Sequence, residues 1–224
     1  MTIAMTTQAT SDRVSGDTRS EHTKRALLIA AIRLFGRKGY ENTSVRDLVD
    51  DAGVNLAAVN YHFGSKEGLR LAAIDHLASE FRKDGPGTAL TGMTPEKIAA
   101  MSVDEARNFL RHLMRSSFQS VSRQEDADEK TRFVQRELIQ GGKPTELFFE
   151  KVFNYQLSFI RLLVSRITGE DPDSDRVKAR AIHLIAQSVF LNLARPLVLM
   201  AFGWDSYSSE SADLMADTFW LHHE

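Results

Sequence analysis

The 224-residue chain contains no cysteine. That absence removes disulfide scaffolds, cysteine-based zinc sites, iron–sulfur clusters and thiol nucleophiles. With 5 Pro and 13 Gly, collagen-like and low-complexity classes also fall away. Neither sign of charge is in excess. The 28 Lys+Arg against 30 Asp+Glu leave a formal net charge of −2, which excludes an all-over basic coat and an acidic disordered tail. No HExxH, P-loop, post-strand GxGxxG or nucleophile elbow occurs, and the seven His are scattered, with His222 and His223 forming a terminal pair expected to be exposed rather than ligating. The expectation is a protein that is not an enzyme, with no catalytic residues, no metal site and no cofactor.

Uninterrupted apolar runs are lacking too. The most apolar stretch, Ile182 to Phe202, holds His183, Gln187, Asn192, Arg195 and Pro196, so it reads as a buried helix and no membrane segment is expected. Residues 1–20 are polar, small and aperiodic, without the apolar core of a signal peptide. They are expected to form a disordered tail on a cytoplasmic protein, and the sequon Asn42-Thr43-Ser44 is then a chance match.

What is present is helical periodicity. Leu27, Ala30, Ala31, Leu34 and Phe35 mark one helix face, closed by Arg37-Lys38-Gly39. Ser44-x-x-Asp47 reads as a capping box opening a second helix, buried through Val45, Leu48, Val49 and Ala52 and stopped at Gly53. A three-residue turn leads to a short helix, Leu56 to Phe63, and Ser65 caps a fourth from Lys66 to about Lys83. Residues 85–95 read as a linker. Beyond it, Ser102-x-x-Glu105 opens a helix to about Val121, and others are expected over about Thr131–Gln140, from Pro144 to about Ile167, from Asp173 or Ser174 to Phe202 with a bend at Pro196, and from Ser208 or Ser209 through Trp220. The fold class expected is all-α, with about nine helices. An N-terminal three-helix helix-turn-helix domain (21–84) precedes a larger helical domain for dimerisation and ligand binding (96–224).

Two short helices around a tight turn match a helix-turn-helix, whose second helix enters the DNA major groove. Charge partition agrees. Lys24 to Lys83 carries ten Lys/Arg and seven Asp/Glu, whereas the rest of the chain is net acidic. Solvated helix faces can show a difference of that size without any nucleic acid.

The run TKRALLIAAIRLFGRKGYENTSVRDLVDDAGVNLAAVNYHFGSKEGL resembles the DNA-binding region of TetR-family transcriptional regulators over about Thr23 to Phe81, through LFGRKGY, TSVRDLVDDAGV and YHFGSKEGL in that order. The segments RFVQREL and AFGWDSY are similar to the CecR-like branch. The resemblance implies an all-α homodimer that binds double-stranded DNA, acts usually as a repressor and carries a ligand-responsive C-terminal domain. It places Ser44, Val45 and Arg46 at the phosphate backbone, Leu56, Ala57, Ala58, Asn60 and His62 at bases or backbone, and Lys66 on a phosphate. A helix N-terminus with free N–H groups and a nearby arginine suits phosphate on physical grounds as well. Solvated cations remain the alternative for Arg46 and Lys66.

Leu56-Ala57-Ala58 departs from the commoner Lys-Gly-Thr of the family and offers only apolar contacts to thymine methyls or groove shape. Asn60 is then the candidate for polar base readout, with adenine its bidentate partner. Tyr61 either bonds a phosphate or packs. Val54, Val59 and Phe63 are assigned to the small domain's core. Arg13 and Arg19 either reach a minor groove or belong to the tail.

In the larger domain, the helices over Asp173–Phe202 and Ser209–Leu221 are assigned to a four-helix dimer interface, against the alternative of intrachain core. Met114, Phe118, Phe133, Phe149, Phe153, Tyr155 and Phe159 either line an apolar pocket for a small-molecule effector or form ordinary core. Arg136-Glu137 is either a polar anchor for that ligand or a structural ion pair. Helix four is the expected lever between ligand and DNA. The leading reading is a dimeric repressor released from an inverted-repeat operator by a small apolar ligand. The competing ones are a DNA-binding factor of the same fold without small-molecule control, and a helical interaction module.

Overall fold

The computed structural model describes residues 5–83, 86–122 and 127–218. Among them there is no strand. Helices run over Met5–Lys38 (α1), Val45–Ala52 (α2), Ala57–Phe63 (α3), Lys66–Lys83 (α4), Pro95–Ala100 (α5), Val103–Ser122 (α6), Ala127–Gln140 (α7), Lys143–Phe148 (α8), Asn154–Thr168 (α9), Asp175–Leu193 (α10), Arg195–Phe202 (α11) and Ser209–Thr218 (α12). A five-residue π-turn, Phe149–Phe153, joins α8 to α9, so the described residues form eleven continuous helices rather than about nine. Helix α5 and a 3-10 turn at Pro86–Leu90 occupy ground expected to be linker or loop.

Contacts divide the chain into two compact units. Unit 1 is Met1–His76 with Arg132–Thr145, and unit 2 is Leu77–Thr131 with Glu146–Glu224. The division departs from the expected cut at residues 85–95, because the segment 132–145 groups with the first 76 residues. Residues 5–20, expected as a disordered tail, continue α1 as helix. Prolonging an existing helix adds a backbone hydrogen bond per residue without a new nucleus. The side chain of Arg13, and residues 219–224 with Trp220, Leu221, His222 and His223, lie outside the described residues.

Unit 1 packs α1, α2 and α3 around a core of Leu27, Ala30, Ala31, Phe35, Leu48, Val49, Val59 and Leu69. Phe133 of α7 completes it, fully buried with its ring centroid 6.1 Å from that of Phe35. That position corrects its assignment to a ligand pocket with Phe118 and Phe149, which belong to unit 2. Truncating a buried phenylalanine of this kind costs about 3–5 kcal/mol. Thr43 is also buried, and its hydroxyl donates to the Gly39 carbonyl at 2.8 Å, holding the turn between α1 and α2.

The core of unit 2 is apolar. Leu110, Leu113, Met114 and Phe118 of α6 pack with Ile160 and Leu163 of α9, Val177 and Leu184 of α10, and Ala212 of α12. Met114 and Phe118 are thus core residues. The expected bend near Pro196 is a break at Ala194, with α10 and α11 inclined by 75°. Proline lacks an N–H and disfavours helical backbone in the residue before it. No single described helix is long and apolar enough to cross a membrane, although α10 and α11 pass that test jointly as a bent pair. The stretch from Ile182 to Phe202, expected to be buried, instead leaves Val189, Phe190, Leu193, Leu197, Met200 and Phe202 exposed, Met200 by 78 %.

Candidate DNA-binding surface

The α1–α2 turn fixes the start of α2. Ser44 caps it: its hydroxyl accepts from Asp47 N at 3.0 Å, while Asp47 Oδ2 accepts from Ser44 N at 2.8 Å. Lys38 Nζ meets the other carboxylate oxygen at 2.9 Å. The Ser44 hydrogen bonds, then Lys38, hold the Asp47 carboxyl well below the ordinary carboxylate range. Gly53, in the left-handed region at φ +65°, ends α2 and turns the chain through Val54 and Asn55 into α3. Ser44 and Arg46 are exposed and Val45 half-buried at this end, with Arg46 Nε 3.9 Å from Asp50. Arg46 therefore stands in solvent beside a helix N-terminus, the arrangement that suits a phosphate.

Of the α3 positions named from sequence, Leu56, Ala57, Asn60 and Tyr61 face outward, Tyr61 by 81 %, and His62 is half-buried with its ring edge-on to Tyr61 at 4.8 Å. Ala58 does not join them. It is 6 % exposed and packs inward with Val59, showing only a small part of its surface in the recess between α3 and α1. A helix of seven residues has fewer than two full turns, and its sequence alone leaves the phase of the inward face ambiguous.

Lys66 is placed by α4. Its Nζ lies 4.0 Å from the centroid of the Tyr40 ring, whose other neighbour, the Arg70 guanidinium, lies at 4.4 Å. Cation–π contacts of this kind contribute about 0.5–2 kcal/mol. Burial, with help from Glu67, pushes the Tyr40 hydroxyl up. Gly68 lets the first turn of α4 close on the end of α3, since a Cβ there would stand 2.0 Å from the Phe63 carbonyl oxygen.

Behind this surface lies a buried ionic cluster. Arg70 donates to Glu137 Oε2 through Nε at 2.8 Å; its Nη2 stands 2.6 Å from the same oxygen and donates to Gln140 Oε1 at 2.8 Å. Glu137 is 1 % exposed. Burial pushes its carboxyl up, and Arg70 pulls it back toward the charged form. Arg136 donates to the carbonyls of Gly36 at 2.9 Å and Arg37 at 3.3 Å, filling acceptors that the end of α1 leaves open. Glu137 thus belongs to a structural ion pair, with Arg70, and Arg136 closes the end of α1. Sequence reasoning gave Tyr40 and Arg70 no role. The signal for Tyr40 was its place in LFGRKGY; a partner 67 residues away from Arg70 left none.

A recess of about 10 Å³, room for roughly one water, is lined by Phe118, Leu191, Tyr207 and Met215 among others. Phe149 is exposed and stacks on Phe153 at 5.8 Å, while Tyr155 meets Phe159 edge-on at 5.3 Å. No group of three or more His, Asp or Glu suited to a metal ion occurs among the described residues.

Comparison with known proteins decides what this arrangement belongs to. The family described as bacterial regulatory proteins, tetR family, matches residues 27–73, and the C-terminal domain of the HTH-type transcriptional dual regulator CecR matches residues 106–222. The chain belongs to the TetR family. It is a helix-turn-helix, DNA-binding transcriptional regulator, and its second domain is of the CecR type. The HTH-type transcriptional dual regulator CecR of Shigella flexneri is 26 % identical over 212 residues, 91 % of each chain. The HTH-type transcriptional repressor Rv3405c of Mycobacterium tuberculosis is 38 % identical over 102 residues, 46 % of this chain and 50 % of that one. Among solved structures, a transcriptional regulator from Pseudomonas aeruginosa PAO1 superposes with a TM-score of 0.64 at 17 % identity, over 88 % of this chain and 87 % of that one. AibR, solved with isovaleryl coenzyme A and operator DNA, gives 0.60 at 17 % identity, over 88 % and 95 %. At that identity the likeness is one of fold.

Proposed function

We propose that this TetR-family regulator works as a cytoplasmic homodimeric repressor, bound to an inverted-repeat operator and released by a small apolar ligand. The observation that carries the reading is the exposed apolar face of α10 and α11, from Val189 to Phe202. Such a face is covered when a second copy packs on it about a two-fold axis, and two copies supply two reading heads for two half-sites. Ser44, Val45, Arg46 and Lys66 then meet phosphates, Leu56 and Ala57 meet thymine methyls or groove walls, Asn60 reads a base, and Tyr61 and His62 meet the backbone. Ala58 is left out of that set. No catalytic step and no cofactor enter this reading.

Ligand control is supported by the relatives' chemistry, since AibR was solved with isovaleryl coenzyme A and another regulator of this fold with choline. A ligand releases DNA only by binding the weaker-binding conformation more tightly. The second reading, a DNA-binding factor of the same fold without small-molecule control, predicts no such differential binding.

The test is selection of random duplex DNA by the full-length protein, followed by a promoter reporter carrying the selected site. An enriched inverted repeat and a lower reporter output are expected. A single half-site or a raised output overturns the dimeric or the repressor part respectively. Titrating acyl-coenzyme A and apolar small molecules into the complex, with no release by any, favours the second reading.

A further inference from the structure

The exposed apolar face of α10 and α11 is interrupted by a single formal charge. From Ile182 to Phe202 the only Asp, Glu, Lys or Arg is Arg195, the first residue of α11. Its guanidinium lies over the Tyr207 ring, 5.6 Å from the centroid, and the Tyr207 hydroxyl donates to the Leu191 carbonyl at 2.7 Å near the end of α10. Arg195 is half-buried, its Nε is shielded from solvent without a hydrogen-bond partner, and no carboxylate among the described residues pairs with it. A second copy packed on this face strips the remaining water from that cation, and a desolvated charge without a partner is costly.

The carboxylates that follow α11 differ in what they already bind. Asp213 accepts from Arg115 Nη2 at 2.9 Å, Asp217 stands 3.8 Å from Arg111, and the Ser208 hydroxyl holds the Glu210 carboxyl below its ordinary range at the start of α12. Asp205 is exposed and has no ion-pair partner among the described residues. It lies two residues beyond Gly203, which ends α11, so Arg195 and Asp205 stand at opposite ends of that helix. The most exposed apolar side chains of the face, Leu197 at 65 % and Met200 at 78 %, sit between them. Two copies of α11 packed through those residues run either parallel or antiparallel. Parallel packing sets one arginine against the other. Antiparallel packing about a two-fold axis sets the start of each helix beside the end of its mate, cation to carboxylate, and symmetry repeats the contact. We infer that Arg195 pairs with the partner's Asp205 across the axis, twice per dimer, and that this pair selects the second copy. An apolar face alone accepts other apolar faces, whereas a cation that has to be matched rejects those that offer no carboxylate. The inference deepens the homodimer reading and rests on it.

The experiment follows self-association of the full-length chain by sedimentation velocity across a concentration series. Arg195→Glu and Asp205→Arg are each expected to weaken the dimer by a factor on the order of a hundred or more, since each sets like charges together twice. An equimolar mixture of the two variants is expected to form a mixed dimer, because both pairs are then matched, and one chain carrying both substitutions is expected to dimerise with itself. Recovery in the mixture also shows that each variant folds. Arg195→Gln covers the case in which a reversed chain does not fold: it is expected to weaken the dimer at least tenfold. Wild-type affinity in any of these single variants overturns the inference, as does a mixture of folded chains that stays monomeric. A wild-type chain that is monomeric at every concentration removes the homodimer reading and the pair with it.

Discussion

Unit 1 and unit 2 both close over apolar cores, and among the described residues unit 1 alone adds buried charges to its core. Unit 1 buries an ion pair, Arg70–Glu137, and surrounds it with a cation–π stack on Tyr40 and the Arg136 contacts to the end of α1. Unit 2 packs Leu, Ile, Val and Met side chains in its centre and leaves a further apolar face uncovered on α10 and α11. Directional contacts admit one geometry, whereas apolar packing tolerates rearrangement. The DNA contacts proposed for Arg46, Asn60 and Lys66 require fixed spacing, and the directional scheme serves that. The apolar scheme suits a unit that changes shape or takes a partner.

The largest expected effect comes from breaking the directional scheme. Glu137→Ala leaves the Arg70 guanidinium buried without its carboxylate and is expected to cost about 3–5 kcal/mol in denaturant unfolding. The double substitution Arg70→Met with Glu137→Leu is expected to recover most of that stability, since an apolar pair of similar volume avoids the desolvation penalty. A double variant as unstable as Glu137→Ala would show that the pair contributes more than its burial requires.

Next in size is the apolar face. Leu197→Asp with Met200→Asp should convert the proposed dimer to single chains in analytical ultracentrifugation. Operator affinity should fall by a factor on the order of a hundred, the gain that linking two modules supplies. Persistence of the dimer would move the interface elsewhere.

Smaller still is the Tyr40 stack. Tyr40→Leu keeps the apolar contact to Phe35 and removes the ring beneath Lys66 and Arg70. A loss of about 1 kcal/mol is expected, together with a DNA affinity lowered alike on all sequences. Loss of preference at one base position would instead make Tyr40 part of base readout.

The smallest effect is electrostatic. The folded-state value of Asp47 lies below its unfolded one, so its contribution to stability is complete above the ordinary carboxylate range and disappears as pH falls through the folded value. The stability gap between wild type and Asp47→Asn should therefore be full at neutral pH, begin to narrow below about pH 4 and close only in strong acid. A gap that persists in strong acid would assign the cap to shape rather than charge.

Much of the reading head was legible because its signals are local. Ser44-x-x-Asp47 announced the start of α2, and Gly53 its end, within a window of ten residues. Ser102 and Glu105 marked α6 in the same way, with Ser102 N donating to Glu105 Oε2 at 2.7 Å. The family motifs carried the surface positions of α3, apart from the inward phase of Ala58. What escaped was long-range. Phe133 belongs with Phe35, and Glu137 with Arg70, across loops that no periodicity reports. The exposure of α10 and α11 escaped for a related reason: the side chains proposed to cover that face belong to a second copy, and one sequence gives it no contrast with a buried core.

The return of residues 132–145 to unit 1 has a consequence for the order of events at the ribosome. Synthesis proceeds at roughly 5–20 residues per second, and 55 residues separate His76 from Arg132. The helix-turn-helix segment therefore emerges several seconds before the Phe133 ring that seals Phe35 and the Glu137 carboxylate that neutralises Arg70. During that interval the nascent reading head carries an open apolar seam and a guanidinium whose carboxylate partner is Glu67 alone. The Phe35–Phe133 contact and the Arg70–Glu137 pair form only after the second half of the chain has begun to leave the exit tunnel.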